Sequence, residues 1–560
     1  MSKKDKKIEI QLTDADKFKV AGTGNAGVYF KGWPYLDGGA TQNNGLAGTT
    51  TTTASTFNMS LTGTGNTGIY FKYNGDDSEP DTKKHTFKLT GTSTIKSTAN
   101  DNILIYDENG DVDLSNNITL NPNGENNVAI YNKSADKLVT AANIIGTAKN
   151  AVGIYSTGTG YTKNTGTITM TGEKVKGIVA GDSTTAGTAV INNEGNITVT
   201  GKEAVAVIAQ KGGTVNMPSS STSTATPVIS VTGRSGLGLY STSNGKINAT
   251  NTTVNASGGA INVYKNGGNI NLTNATLNTN ADSLAFMTGG TTGKIDFSNT
   301  KVTTANINSK GTAFYYDGAT TAGPTGYADF SKSNIQTWAS GNFDNLNKLK
   351  LNMAASDSRM FIASQVKMNL ADTNLTPANV ASLFGSNSPQ ITGVTDYKTF
   401  LLYKSLLTIA NTDTVNLDNH TEPYNLLEIS NSSITNNGKI TGTKAGQYAM
   451  AQTDDTNNAS GTEWVKLINN GTISLSGSGS TGIYAQAGEI TNNGTVTVGD
   501  SSAGIYAVEN TKVDNFSRIT VTYKDKYFEN EVNFDEKSGN KVGVITRRIN
   551  LKNSSKFLLI

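Results

Sequence analysis

The 560-residue sequence contains no cysteine, which excludes disulfide bonds and thiolate metal sites. It has only two histidines, His85 and His420, in unrelated contexts, so neither a histidine-based zinc site nor a Cys/His nucleophile pair is expected. Charged residues make up 16% of the chain and the formal net charge is +2. This balance argues against nucleic acid as a partner, and the basic cluster at residues 3–7 is interpreted as a solvated end.

Long apolar runs are also missing, because no stretch of about eighteen apolar residues occurs and no membrane-spanning segment is predicted. Residues 1–20 lack the apolar region of a secretory signal peptide. The last residues, 556–560, read as the middle of a strand. We therefore expect a piece of a longer exported protein, and the absence of cysteine suits a chain that crosses membranes unfolded.

What the sequence does contain is 60 glycines and a repeated motif, clearest between residues 469 and 507. The motif reads NNGTISLSGSGSTGIYAQAGEI and then NNGTVTVGDSSAGIYA, which places Tyr484 and Tyr506 twenty-two residues apart. Each period holds three short apolar segments separated by Asn and Gly turn signals. The pattern predicts an all-β fold, a right-handed parallel β-helix (β-solenoid) with loop insertions and one short helix.

The facing of the strands is predicted from residues that recur two positions apart, since side chains alternate between the two faces of a strand. In the tyrosine-containing segments, pairs such as Val152 and Ile154 are predicted to face inward, with the small residue between them and the following tyrosine outward. The predicted outward tyrosines are Tyr29, Tyr70, Tyr106, Tyr131, Tyr155, Tyr240, Tyr264, Tyr315, Tyr403, Tyr484 and Tyr506.

In the NNGT segments, pairs such as Ile473 and Leu475 are predicted to face inward, with Thr, Ser or Asn outward between them. Equivalent side chains of successive coils then form ladders, and the Asn amides at the NNG turns are expected to hydrogen-bond one another.

The predicted organisation has three parts: β-helix coils with loop excursions over 1–370, an insertion with a short helix over 371–398, and further coils over 399–560. The insertion helix has Thr376 as N-cap, Pro377 in the first turn and Gly385 after the last turn. Its apolar stripe is Val380, Leu383 and Phe384, which we expect to pack on the solenoid. Loops are also predicted at Trp33–Ser55, Asn74–Lys84, Ser219–Pro227 and Gly318–Gly326.

Candidate chemistry is sparse. Asp107, Asn109, Asp111 and Asp113 have the alternating spacing of a calcium loop, but the segment lacks the glycine after Asp111 and a bidentate glutamate further on, so an acidic turn is favoured over a metal site. Outward strand positions are mostly Thr, Ser, Asn and Tyr, so no carboxylate pair for glycoside hydrolysis is evident. The tyrosines are interpreted as a self-stacking ladder, with glycan stacking as the alternative. No catalytic, cofactor-binding or metal-ligating residue is assigned, and no enzyme is predicted.

The quoted repeats, together with NTGTITMTGEKVKGIVA, resemble the passenger repeats of large fusobacterial autotransporter (type V secretion) adhesins. The resemblance implies a surface-displayed or released passenger that acts as an adhesin or rigid stalk. Its implied partner is a host or bacterial surface protein or glycan. It implies no cofactor and no binding residue. A β-helical polysaccharide lyase or hydrolase and a phage tail-fibre or tailspike segment stay open as alternatives.

We expect a monomeric rod of about 22 coils, at about 4.8 Å per coil. Specificity is expected in the excursions, Ala371–Lys398 first, because regular coils present nearly the same surface at every level.

Overall fold

The structure is a computed structural model. It describes residues 18–31, 50–54, 58–72, 85–89, 91–218, 223–298, 300–319, 327–369, 380–419, 428–430, 432–452, 465–486, 488–507, 511–523 and 526–530. The chain divides into two compact units, unit 1 (Met1–Gly311 with Gly341–Asn352) and unit 2 (Thr312–Ser340 with Met353–Ile560).

Unit 1 has three parallel sheets, and each coil of chain adds one strand to each sheet in turn. The first, here the tyrosine sheet, contains Ala26–Lys31, Thr67–Lys72, Ile103–Asn109, Val128–Asn132, Val152–Ser156, Lys176–Ala180, Val205–Gln210, Leu237–Thr242, Ile261–Asn266 and Leu284–Gly289. The second sheet contains Thr50–Ala54, His85–Leu89, Asp111–Leu114, Leu138–Thr140, Tyr161–Asn164, Val190–Asn193, Thr214–Met217, Lys246–Thr250, Asn269–Thr273, Ile295–Asp296 and Phe343–Asp344. The third sheet contains Phe18–Val20, Asn58–Leu61, Ser93–Ser97, Ile118–Pro122, Asn143–Gly146, Ile168–Met170, Ile197–Thr200, Val228–Thr232, Thr253–Ser257, Thr276–Thr279, Thr303–Ile307 and Leu349–Met353.

Unit 2 repeats this arrangement of three strands per coil. Its first sheet contains Thr312–Asp317, Arg359–Ser364, Lys398–Tyr403, Glu428–Ser430, Tyr448–Gln452, Thr481–Ala485 and Ala503–Ala507. Its second contains Ala328–Asp329, Val366–Asn369, Leu406–Ile409, Ser433–Asn436, Lys466–Asn469, Gly488–Asn492 and Thr511–Asn515. Its third contains Thr414–Asn416, Lys439–Gly442, Thr472–Leu475, Thr495–Val498, Ile519–Tyr523 and Lys526–Asn530, and a further strand is Gln390–Gly393.

Neighbouring strands within each unit pair in parallel, as where Tyr131 lies beside Tyr155, except that the last two strands of unit 2 are antiparallel. The predicted parallel β-helix is therefore confirmed. One predicted loop is partly wrong: within Trp33–Ser55, residues 50–54 form a strand that pairs with His85–Leu89. A run of threonines has high strand propensity, so these residues take a regular place in the second sheet. The rest of that loop, and Asn74–Lys84, lie outside the described residues.

The interior confirms the predicted facing of the NNGT segments, since Ile473 and Leu475 are fully buried while Ser474 between them is partly exposed. The prediction for the tyrosine segments is wrong at the first two positions of the segment. In Val152–Ser156, Gly153 and Ile154 are both buried and Val152 is half-buried. A Cβ on Gly153 would lie 2.5 Å from the carbonyl oxygen of Gly177 and 3.0 Å from Cγ2 of the core residue Ile168. The small residue therefore faces the interior, because two successive residues turn inward at this corner.

Helices are few in the described part of the chain: α1 (Lys332–Asn342) and 3-10 helices at Leu346–Lys348, Val380–Asn387 and Leu417–Asn419. The predicted short helix is present as the second of these 3-10 helices, with Gly385 at φ 69°. Its expected start at Thr376 and Pro377 lies outside the described residues. None of the helices described is long and apolar enough to cross a membrane.

Candidate functional site

The tyrosine ladder of unit 1 is the first candidate surface. The rings of Tyr29, Tyr70, Tyr106, Tyr131 and Tyr155 follow one another with centroid separations of 4.8, 4.8, 5.1 and 5.0 Å. Tyr29 is 46% exposed and the other four are half-buried, as predicted for outward rings. Neighbouring rings face one another with 12–34° between their planes, so the ring faces within the ladder are covered by other tyrosines and not open to a sugar. The geometry favours the self-stacking interpretation.

A polar cluster borders this ladder. The Tyr70 hydroxyl donates a hydrogen bond to Oε2 of Glu108, and Lys72 Nζ lies 3.0 Å from Oε1 of the same carboxylate. The hydrogen bond from Tyr70 is the main cause of a lowered pKa of Glu108. Burial, followed by the bond to Glu108, raises the pKa of Tyr70 well above its ordinary value. Glu108 is thus held ionised, which makes it a poor proton donor.

The acidic segment Asp107–Asp113 does not form a calcium loop. Asp107 is fully buried, whereas Asp111 and Asp113 lie on partly exposed positions of the next strand. Asp107 therefore faces the interior from the tyrosine sheet, while Asp111 and Asp113 face outward from the second sheet. Within the described residues, no group of three or more acidic, His or Cys side chains is placed to hold a metal ion. Neither carboxylate oxygen of Asp107 has a hydrogen-bond partner, and burial, followed by the charges of Asp136 and Asp111, raises its pKa to about 8.

The structure places only the backbone of one of the two histidines. His85 begins a strand of the second sheet, and His420 lies outside the described residues.

The 3-10 helix Val380–Asn387 packs as predicted. Val380 and Leu383 are fully buried, and the Phe384 ring lies 5.4 Å from Phe314 and 5.7 Å from Phe361, measured between centroids. Phe314 and Phe361 are themselves fully buried strand residues of unit 2. The apolar side chains of this 3-10 helix are thus part of the core of unit 2.

Helix α1 was not predicted from the sequence. Its Trp338 ring meets Phe314 edge-on at 6.0 Å and Tyr316 at 5.5 Å. The available signal was a capping serine, Ser331, whose Oγ accepts a hydrogen bond from the Asn334 N–H at 3.3 Å, followed by buried Ile335 and Trp338 three residues apart.

A concave polar surface lies on the outer face of the second sheet in unit 1. We call it the ladder groove; it is lined by Asn248, Thr250, Asn271, Thr273, Asp296, Ser298 and Asn345. Three successive coils supply it through the segments KINAT, NINLT and KIDFS, in which outward positions stack as one amide or carboxylate column and one hydroxyl column. Sequence reasoning missed the groove, although the alignment of these segments is visible in the sequence.

Two contacts fix the far end of the groove. Oδ1 of Asp296 accepts hydrogen bonds from Asn345 Nδ2 at 2.8 Å and from the Ser298 N–H at 3.1 Å. Asn345 has a left-handed backbone with φ 53°, a conformation that asparagine tolerates better than most residues. Asp344, which follows Asp296 on the next coil, forms an ion pair with Lys294 at 2.8 Å.

Comparison with known proteins gives little beyond this geometry. No family model matches the chain, and no curated protein matches it. A search of solved structures finds a chain from the cryo-EM structure of the Vag8–C1 inhibitor complex, at 11% sequence identity and a TM-score of 0.30. The match covers 93% of this chain and 100% of that chain.

Proposed function

We propose that this chain is a passenger segment of a surface-displayed autotransporter, which acts as an adhesin or rigid stalk and binds a protein or glycan of another cell. Two observations support the proposal: the parallel β-helix built from repeated coils, and the resemblance of those coils to fusobacterial passenger repeats. The observation that carries the binding role is the ladder groove, where the regular polar face of unit 1 becomes concave beside an irregular segment.

The surroundings of the acidic side chains support binding over hydrolysis. A hydrolase needs a general acid whose pKa is raised at a position that substrate can reach. Hydrogen bonds lower the pKa of Glu108, Asp182 and Asp418. Asp107, whose pKa is raised, is sealed from solvent. These features favour a binding role at the surfaces described.

The test is to display the full chain on a non-adherent bacterium through a carrier translocator and to count attachment to host cells and to other bacteria. A matched strain carries the translocator with an unrelated β-helix. We expect attachment only with this chain. Attachment equal to the control strain would contradict the adhesin proposal.

Purified chain incubated with a polysaccharide panel tests the enzymatic alternative. Release of new reducing ends would replace the adhesin proposal with the lyase or hydrolase alternative.

A further inference from the structure

A column of asparagines occupies outward positions in the second sheet of unit 1. We call it the amide ladder; its members are Asn192, Asn216, Asn248 and Asn271. Each amide after Asn192 donates from Nδ2 to Oδ1 of the asparagine one coil earlier, at 2.9, 2.7 and 2.7 Å. The same direction holds in an outward column of the third sheet, where Asn278 donates to Asn255 and Asn306 donates to Asn278. In this arrangement every residue must supply a hydrogen to the coil before it.

Asp296 occupies the next position of the amide ladder and cannot supply that hydrogen. It pairs in register with Asn271, and an ionised carboxylate offers only acceptors. Asn271 Oδ1 therefore receives no hydrogen from the coil that should provide one. Oδ1 of Asp296 accepts hydrogen bonds from Asn345 and Ser298, but among the residues that the structure describes no donor reaches Oδ2. Two adjacent acceptors thus open into the ladder groove.

An aspartate here also works against stability. Asp344 lies directly beside Asp296 on the following coil, and like charges on directly opposed strand positions are unfavourable. Asparagine at position 296 would continue the ladder and remove that repulsion. Departures from a local rule without a structural gain are expected at functional sites.

The contrast with Asp101 shows that the position of the aspartate matters. Asp101 begins another outward column of unit 1, where Asn126 Nδ2 donates to its Oδ1 at 2.9 Å and Asn150 donates to Asn126 at 3.1 Å. There the aspartate stands at the accepting end, so its column is complete. A carboxylate breaks the column only at a position whose side chain must donate a hydrogen bond to the preceding coil.

The ligand that suits two adjacent acceptors must bring two hydrogen-bond donors. A calcium ion needs six to eight oxygen ligands, and the groove lining has a single carboxylate. An ammonium group is disfavoured because Lys246 and Lys294 flank the column on the same face. Hydroxyl groups fit, because they donate to Asn271 and Asp296 and can also accept from Thr250, Thr273 and Ser298 in the neighbouring column.

We propose that the ladder groove binds a glycan through a vicinal diol, whose two hydroxyls donate to Asn271 Oδ1 and Asp296 Oδ2. This assignment rests on the proposed adhesive function and names the chemical class of its ligand.

The decisive variant is Asp296→Asn, because its amide can donate to Asn271, complete the ladder and leave no acceptor pair for the ligand. Asp101→Asn is the matched control, since it makes the same chemical change in a column that is already complete. Thr273→Val is a second variant that removes one hydroxyl of the groove and keeps a β-branched strand residue. Thermal melts check that all three variants are folded.

The probe is a panel of immobilised neutral and acidic oligosaccharides, with a duplicate set treated with periodate, which cleaves vicinal diols. The full chain and Asp101→Asn should bind the untreated set only. Asp296→Asn should bind at least about tenfold more weakly, because one hydrogen bond to a carboxylate and one to an amide oxygen are lost. Thr273→Val should fall between them.

Undiminished binding by folded Asp296→Asn, binding to periodate-treated sugars, or binding that requires calcium would overturn the diol site. Each of these results leaves the adhesin proposal standing if displayed cells still attach. A displayed chain that attaches to no cell would instead contradict the proposed function.

Discussion

Replacing Asp107 by asparagine should stabilise the N-terminal coils of unit 1, by an amount that depends on pH. Asp107 is fully buried, neither of its oxygens has a hydrogen-bond partner, and its pKa is raised from 3.8 to about 8. Burial disfavours the charged form, so the folded chain keeps this proton while the unfolded chain releases it. An amide fits the position, because Asn132, the register partner on the next coil, is buried and bonded through both ends of its amide.

The effect of Asp107 on the free energy of unfolding depends on pH because proton binding is linked to folding. Below pH 3.8 both states carry the proton, and Asp107 imposes no penalty. As pH rises from there to about 8, only the unfolded state loses the proton, so the folded state is progressively destabilised. At about 1.4 kcal/mol per pH unit, the penalty approaches roughly 4 kcal/mol at pH 7. Asp107→Asn should remove it.

Native-state hydrogen exchange measures this locally, without requiring that the whole chain unfold in one step. Amides of the strands Ile103–Asn109 and Val128–Asn132 should exchange similarly in wild type and variant near pH 4. They should exchange far more slowly in the variant at pH 7. Asp113→Asn, an outward position on the next strand, is the matched control and should show no such gain. A stability difference that does not change with pH, or a loss at pH 7, would refute the reasoning.

Three further substitutions test the packing of the coils. Asn469→Ala should lower the free energy of unfolding, measured by urea melts, by about 2–4 kcal/mol. It leaves the buried amides of Asn436 and Asn492, each bonded to Asn469 at 2.7 Å, without this partner. Asn493→Ala, in the exposed column, should lower it by less than about 1 kcal/mol. Gly153→Ala should cost about 1–3 kcal/mol by thermal melt because its Cβ meets a backbone carbonyl, while Gly187→Ala, with open space around its Cβ, should be neutral. Ile483→Asp should destabilise strongly and Tyr484→Ser by roughly 1 kcal/mol; the reverse order would show that the facing of this strand is misassigned.

The regular coils could be predicted from the sequence because each feature repeats. Asn436, Asn469 and Asn492 recur before a glycine, and their amides do hydrogen-bond one another in the folded chain. The tyrosines recur at one point of the period and stack as predicted. Because equivalent residues recur in each copy of a repeat, the alternation of inward and outward residues in one copy can be checked against the next copy.

The corner of the tyrosine segment could not be predicted by alternation. Strict period two assigns Val152 and Ile154 to one face, but the chain bends there and turns Gly153 and Ile154 inward together. The evidence for the bend is steric, namely the carbonyl oxygen of Gly177 against the position of a Cβ on Gly153. That contact comes from the next coil and is not written in the segment itself.

The irregular segments were predicted least well, because their packing partners are distant in the sequence. Phe384 packs on the solenoid as predicted, but its partner Phe361, whose ring stacks on it at 18° between planes, could not be identified from the repeat pattern. Trp338 likewise contacts Phe314 and Tyr316, which precede it in the chain by a segment that does not follow the repeat pattern.

The ladder groove lies between these two cases. Its residues occupy regular repeat positions, but whether one of them leaves an acceptor unpaired depends on the direction in which the column of amides donates hydrogen bonds. In the outward asparagine columns described for unit 1 the later coil donates to the earlier one, so an aspartate is harmless at the start of a column, as at Asp101, and leaves a gap further along, as at Asp296. Composition cannot distinguish these two residues, and burial does not separate them into core and surface. The distinction appears only when each polar residue of a solenoid is assigned to its column, its position in that column and the hydrogen that the position must supply. The same assignment applied to any ladder of this kind separates carboxylates that complete a column from those that interrupt one.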